Sequence, residues 1–436
     1  METNGATVTP KPKLPPAART SRGMNWLRVQ AVNVKRHAQA LRPFRRDEFG
    51  TAAAAPTDAH LKAANDLITK LGQFLSRRTR SVERASANAR RQPTTRNLQR
   101  MLVLKERAHG SVQATERVWD FYFELFGQRQ SQFGDWLLSC DRIALDCYQH
   151  AYVGLGAPRS IPTPPPFSYM RTGFSPATYR RSIPLRRLGL QLNPFPLIQL
   201  PYHRLVNPWT LGAILHEVSH NLQNDLGLAT LVPRRIGQVL MQAGCNRSVA
   251  AVWVRWNRET FADLSGLLLG GPPVVTSLMD IIGRAPRTVL RYSPTGPHPT
   301  PYIRAFLSFE LLRRMGFHDH AKQYTRLWRR LYPNPTAGSI PRAVLETFPE
   351  AVRIVVDAIC YQPFAPLGNK RYSDVLRFGE KEQIMVEEAA GRIASGTDPG
   401  IIPERFLIGA SRVALSRQLA APEAITQAFY RELSRR

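Results

Sequence analysis

The pentapeptide His216-Glu217-Val218-Ser219-His220 constrains this chain more than any other feature. It sits in the segment 207–223, NPWTLGAILHEVSHNLQ, and reads as part of a helix. On a helix, side chains four residues apart project from one face, so both imidazoles can grip a single zinc ion. Glu217, next to the first of them, can then face a water on that zinc. This is the arrangement that generates hydroxide at neutral pH.

Two histidines leave a tetrahedral catalytic site one protein ligand short, with water in the fourth place. The metzincin solution needs a Gly and a third His soon afterwards. Gln223 and Leu226 hold those places, which excludes it. A Glu from a second helix is the alternative. The segment 258–266, RETFADLSG, has Glu259 and Asp263 four apart, far enough beyond His220 for the chain to turn back. Glu259 is thus the expected third ligand. Asp263, one turn on, is suited to accept a hydrogen bond from the remote nitrogen of His216 and fix its tautomer. The small Ala262 and Gly266 suit close helix packing. A purely structural zinc is disfavoured, because such sites prefer four protein ligands, usually with Cys.

HExxH followed by ExxAD resembles the gluzincin peptidases, specifically the family of CAAX prenyl proteases and HtpX-like quality-control peptidases. That family also carries a later His-Pro with an Arg six positions after the His. Here Gly296-Pro297-His298-Pro299 is followed by Arg304. The resemblance covers residues 200–311 and departs from the family in two respects. The usual membrane helices are missing, and the usual Ser-Thr before His-Pro is Gly296-Pro297. It implies a zincin-like core in which His216, His220 and Glu259 bind zinc and Glu217 is the general base that later protonates the leaving amine. His298 is the expected hydrogen-bond donor to the tetrahedral oxyanion, with Tyr292 and Tyr302 as rivals. Arg304 is expected to hold the loop or Asp263 rather than to touch substrate.

The chain of 436 residues is 43% hydrophobic, enough for a sizeable core and two domains. Lys+Arg number 60 against 32 Asp+Glu, a net charge of +28. Such a balance favours anionic partners, nucleic acid or an acidic surface, although Arg-rich solvated faces give the same count. Cys140, Cys147, Cys245 and Cys360 are sparse and lack CxxC spacing, so reduced thiols are expected. The amino terminus lacks the apolar stretch of a secretory signal, and no run reaches the ~20 apolar residues of a membrane span. A cytoplasmic protein is expected, with signal-independent export as the other route.

Along the chain, residues 1–23 read as a disordered tail and 24–157 as a basic helical region. Residues 158–187 read as a Pro-rich loop, 188–315 as the catalytic core and 316–436 as a helical carboxyl-terminal region. The basic run 77–100 is either a flexible connector or the polar face of a long helix. The segment 195–200, FPLIQL, follows Pro194 and reads as an edge strand able to pair with an extended substrate. The fold class is α+β, mainly α. Asp146, Cys147 and His150 share a helix but lack partners at metal-ligand spacing. Asp141 and Arg142 suggest an internal ion pair, and Trp253 and Trp256 read as core.

A soluble zinc endopeptidase acting on proteins or peptides is the leading expectation. The same residues admit a protease recruited to nucleic acid or an anionic surface through its basic amino-terminal third. They also admit a non-catalytic binding protein on a zinc fold, or a delivered protease toxin.

Overall fold

The computed structural model describes residues 22–156 and 159–436. Of the tail 1–23, Arg22 and Gly23 open the first helix; the remainder lies outside the described residues. The described chain is mainly helical with two small sheets, and it divides into two compact units.

The first unit comprises 22–44, 64–123 and 187–189. It is built from α1 (Arg22–Ala40), most of α2 (Asp58–Arg91) and most of α3 (Thr95–Gly127). Ile68, Leu75, Val82 and Ala89 of α2 are buried at seven-residue intervals, a stripe that stays on one helix face. That stripe carries α2 straight through the first part of the basic run. The run 77–100 is therefore the polar surface of two helices and not a flexible connector. Small residues, Ala31, Ala85, Ala89 and Ala108, fill the core between the helices with Leu27, Val34 and Met101. Ser86 Oγ donates to the carbonyl of Leu27 at 3.1 Å, and Lys35 pairs with Glu83 at 2.8 Å.

The second unit comprises 45–63, 124–186 and 190–436. Its helices are α4 (Gly134–Leu155), α5 (Tyr202–Val206), α6 (Gly212–Asp225), α7 (Leu231–Gln242), α8 (Arg247–Arg255), α9 (Asn257–Gly270), α10 (Pro272–Ile282), α11 (Pro286–Val289) and α12 (Pro301–Arg314). There follow α13 (His318–Leu331), α14 (Arg342–Val356), α15 (Tyr372–Val375), α16 (Glu380–Ala394), α17 (Phe406–Ser416) and α18 (Pro422–Arg435). The expected boundaries at 157 and 315 do not divide this unit. Helix α4 packs on α6, and α17 packs on α10, so both flanking regions share one core with the segment 188–315. Trp253 and Trp256 are buried in it, edge to face at 5.4 Å.

Helix α9 is buried at every position from Thr260 to Gly270, which explains its lack of a polar face. It packs tightly on α6. Gly266 lies over the backbone nitrogen of His216, where a Cβ would make an ordinary contact at 3.5 Å. Gly270 is the tighter position, since a Cβ there would lie 2.7 Å from both Leu215 and Val274.

The larger sheet has the order β1-β3-β2, with β1 (Phe167–Met170), β2 (Ala177–Tyr179) and β3 (Leu197–Leu200). Strand β1 runs parallel to β3 with Phe167 opposite Leu197, and β2 runs antiparallel with Ala177 opposite Gln199. Two expectations are corrected here. The strand before the histidine helix is central, not an edge: Pro194 and Pro196 precede its first paired residue, and the carbonyl of Pro196 still accepts from Phe167 N at 2.9 Å. The Pro-rich segment 158–187 is not a plain loop, because it supplies β1 and β2. A second sheet pairs β4 (Pro363–Phe364) with β5 (Lys370–Arg371).

Buried charges tie these layers together. Asp146 accepts from Arg405 Nη1 at 2.9 Å, and Arg405 Nε reaches the carbonyl of Leu269 in α9 at 3.0 Å. The expected Asp141–Arg142 pair does not form. Asp141 instead pairs with Arg129 at 2.7 Å and accepts from Ser168 N at 2.6 Å, anchoring β1. Arg142 donates to the carbonyl of Leu433. Among the described residues, no helix is long and apolar enough to cross a membrane.

Candidate metal centre

Helix α6 begins after a turn at Pro208–Thr210 and buries Ile214, Leu215, Val218 and Leu222. That burial turns the opposite face, with His216, Glu217 and His220, toward a cavity of about 410 Å³. Helix α9 brings Glu259 and Asp263 to the same place, and α12 brings Arg304. His298 arrives from the turn that precedes α12.

The Nε2 atoms of His216 and His220 lie 3.2 Å apart, with their rings almost perpendicular at 88°. Glu259 Oε2 is 3.4 Å from His216 Nε2, and Oε1 is 3.6 Å from His220 Nε2. A tetrahedral ion with metal–ligand distances of roughly 2.0–2.2 Å has ligand–ligand edges of roughly 3.3–3.6 Å. Two of the three edges fall in that range and the third, 3.2 Å, lies just below it, and together the groups could hold a metal ion.

Behind these three residues, Asp263 Oδ1 accepts from His216 Nδ1 at 2.9 Å. That bond keeps a proton on Nδ1 and turns Nε2 toward His220 and Glu259. Arg304 fixes Asp263 in turn, with Nε at 2.6 Å from Oδ2 and Nη2 at 2.8 Å from Oδ1. A planar guanidinium gripping both oxygens leaves the carboxylate no freedom to rotate.

Acidic and basic groups offset one another in the cavity. Glu217, Glu259 and Asp263 line the cavity together with the guanidinium of Arg304. Burial opposes ionisation of Glu259, but hydrogen bonds from His216 and His298 hold its carboxyl well below the usual range. Burial likewise opposes ionisation of Asp263, and Arg304 overcomes it. Burial works against the His216 imidazolium, yet its bonds to Asp263 and Glu259 raise it to about 10. His220 falls to about 3, through burial and then the neighbouring His216. Glu217 is pushed up to about 7, chiefly by burial. The His216 imidazolium and the Arg304 guanidinium thus balance the Glu259 and Asp263 carboxylates, and a divalent ion bound here would displace the proton from His216.

Not every expected residue lands where the sequence suggested. His298 lines the cavity with its side chain 58% exposed, but its Nε2 is engaged by Glu259 Oε2 at 3.1 Å. Tyr292 and Tyr302 do not line the cavity. The Tyr292 hydroxyl accepts from Arg255 at 3.0 Å, and Tyr302 is buried against Phe306 at 5.2 Å. Arg304 holds Asp263. Asp146 is taken up by Arg405, and Cys147 is buried in the core.

Two parts of the site gave no readable sequence signal. One is β2, whose residues Ala177 and Thr178 form a wall of the cavity. Asn221 Nδ2 of α6 donates to Thr178 Oγ1 at 3.0 Å, which pins that strand beside the histidines. Among the described strands β2 pairs with β3 alone, so its outer edge is unpaired. The other part is an apolar wall from α9 and α10, formed by Leu267, Val274, Val275, Leu278 and Ile281.

Comparison of the chain with family models, curated proteins and solved structures finds no match. The arrangement above therefore carries the functional argument by itself.

Proposed function

We propose that this chain is a zinc-dependent endopeptidase of the gluzincin type, with a catalytic core arranged like that of the CAAX prenyl protease and HtpX-like family. The single observation carrying this reading is the convergence of His216, His220 and Glu259 at tetrahedral spacing with Glu217 buried beside them. Two imidazoles and a carboxylate are the donor set of catalytic zinc, which leaves a coordination position open. Bound there, zinc would act as a Lewis acid on the scissile carbonyl and acidify the attacking water.

The protein groups do the rest. Glu217, with a carboxyl near neutrality, takes a proton from the attacking water and returns it to the leaving amine. Asp263, gripped by Arg304, keeps His216 in the tautomer that presents Nε2. His298 swings its N–H from Glu259 to the developing oxyanion, a role worth roughly 3 kcal/mol in comparable sites. The unpaired edge of β2 gives an extended substrate backbone a strand to pair with. The apolar wall of α9 and α10 receives a hydrophobic side chain near the cleaved bond.

The test is Glu217→Gln. Cleavage of a peptide library by the wild type should disappear in the variant while its zinc content stays the same. Proteolysis that persists in the variant contradicts the mechanism.

A further inference from the structure

Helix α12 presents different chemistry on opposite faces. Arg304 and Ser308 face the metal cavity. About half a turn round, Phe306, Phe309 and Arg313 face an open groove of about 660 Å³ between α13 and α14. Both of those helices pack on α12.

The floor of the groove is aromatic. Phe306 lies 5.3 Å from Phe348 of α14 and 5.7 Å from Phe309. The rim is cationic. Lys322, Arg326 and Arg329 recur along α13 at the spacing that keeps them on one face, and Arg353 stands on α14. All four are exposed. Arg313 is held by Glu310 at 2.6 and 2.9 Å, but no carboxylate among the described residues pairs with the other four. Arg329 lies over the Phe306 ring at 5.6 Å, but the four like charges repel one another and have no anion among the described residues to offset them. The pattern makes physical sense when something anionic and apolar fills it.

We propose that this groove docks an acidic amphipathic helix from another protein, with its apolar ridge on the phenylalanines and its Asp and Glu residues on the cationic rim. Three features favour that occupant. The α13 wall, from His318 to Arg329, is about 16 Å long, three turns of helix. The recessed apolar floor offers a bare phosphate chain nothing but desolvation. The first 21 residues of this same chain carry Lys11, Lys13 and Arg19 against Glu2 and so lack the complementary charge. The groove lies behind α12 from the metal cavity, so a docked partner leaves the cavity open. This inference does not depend on the peptidase reading.

The test is fluorescence anisotropy with the full chain carrying Glu217→Gln, so that no probe can be cut. The probe is a labelled helix-forming peptide of about 15 residues with a Leu/Phe ridge flanked by Glu, long enough to span the groove. Comparison probes are the same peptide with Lys flanks, an all-Glu peptide, single-stranded DNA and phosphatidylglycerol vesicles. The acidic amphipathic peptide should bind best and lose affinity as salt rises. K322E/R326E should weaken it about 10-fold or more, the loss of two charge contacts. R353E, on the opposite wall, should weaken it as well, while R77E/R84E on α2 should leave it unchanged. The proposal is overturned if the peptide does not bind, if the Lys version binds equally, if K322E/R326E and R353E have no effect, or if DNA or vesicles occupy the groove instead.

Discussion

Arg304 and Asp263 form a two-pronged ion pair at 2.6 and 2.8 Å, and the same carboxylate accepts a hydrogen bond from His216 Nδ1 at 2.9 Å. The candidate ligand His216 is therefore aimed by a residue outside the group of three that could hold a metal ion. Asp263→Asn keeps the shape but loses the charge that raises the ligand's basicity. Arg304→Lys keeps the charge but loses the two-pronged grip. Each variant should bind zinc about 10–100-fold more weakly. A competition titration with a chelating dye measures this, and unchanged affinity in both variants would separate the pair from the metal.

Asp146 and Arg405 are a buried pair that joins α4 to the start of α17 and, through Leu269, to α9. Asp146→Ala leaves the buried guanidinium with the carbonyl of Leu269 but without a counter-charge. The expected loss is about 3–5 kcal/mol. Asp146→Ala combined with Arg405→Met should recover much of it, because no buried charge then remains. Urea denaturation of the two variants checks the order.

His60 makes stability depend on pH. Its Nε2 donates to the carbonyl of Pro165 at 2.9 Å, and its Nδ1 meets the hydroxyl of Thr57 at 2.7 Å. Burial lowers it from 6.5 to about 4. Between those values the unfolded chain takes up a proton that the folded chain refuses. The contribution of His60 is therefore complete above pH 6.5, falls as the pH drops toward about 4, and falls no further below that. The loss across the window is up to about 3 kcal/mol. His60→Gln should flatten that part of the stability profile, read from urea midpoints in a pH series.

The basic surface of α2 is a second ordered feature. Lys70, Arg77, Arg84 and Arg91 recur at seven-residue intervals, all exposed, on the face opposite the buried Ile68, Leu75, Val82 and Ala89. They form a stripe about 31 Å long. An anionic polymer binding along it should lose affinity steeply with salt. R77E/R84E should reduce both the affinity for DNA and the salt slope, whereas a salt-independent interaction would remove this surface from consideration.

Much of the candidate site was legible because its spacings are local. His216 and His220 share a helix face, as do Glu259 and Asp263, and α+β with helices predominant describes the observed fold. The Asp141–Arg142 expectation failed for a related reason. Adjacent helix positions point about 100° apart, so sequence neighbours do not face each other, and Asp141 reaches Arg129 instead. Strands β1 and β2 leave no pattern in the sequence because each is a few residues long and preceded by prolines at Pro164–Pro166 and Pro176. Whether β3 lies at an edge is decided by distant pairing, which the four residues Leu197–Leu200 do not encode. The apolar stripe of α2 extends into the basic run, but only as Val82, Ala85 and Ala89, small residues widely spaced among arginines that give a weak helical period.

The most direct test of the central claim is the zinc content of the purified chain, by elemental mass spectrometry, for the wild type and for Glu217→Gln, His220→Ala and Glu259→Ala. About one zinc per chain is expected in the wild type and in Glu217→Gln, with the metal lost or greatly weakened in the two ligand variants. A wild type that takes up no zinc, or ligand variants that retain it fully, would contradict a metal held by His216, His220 and Glu259.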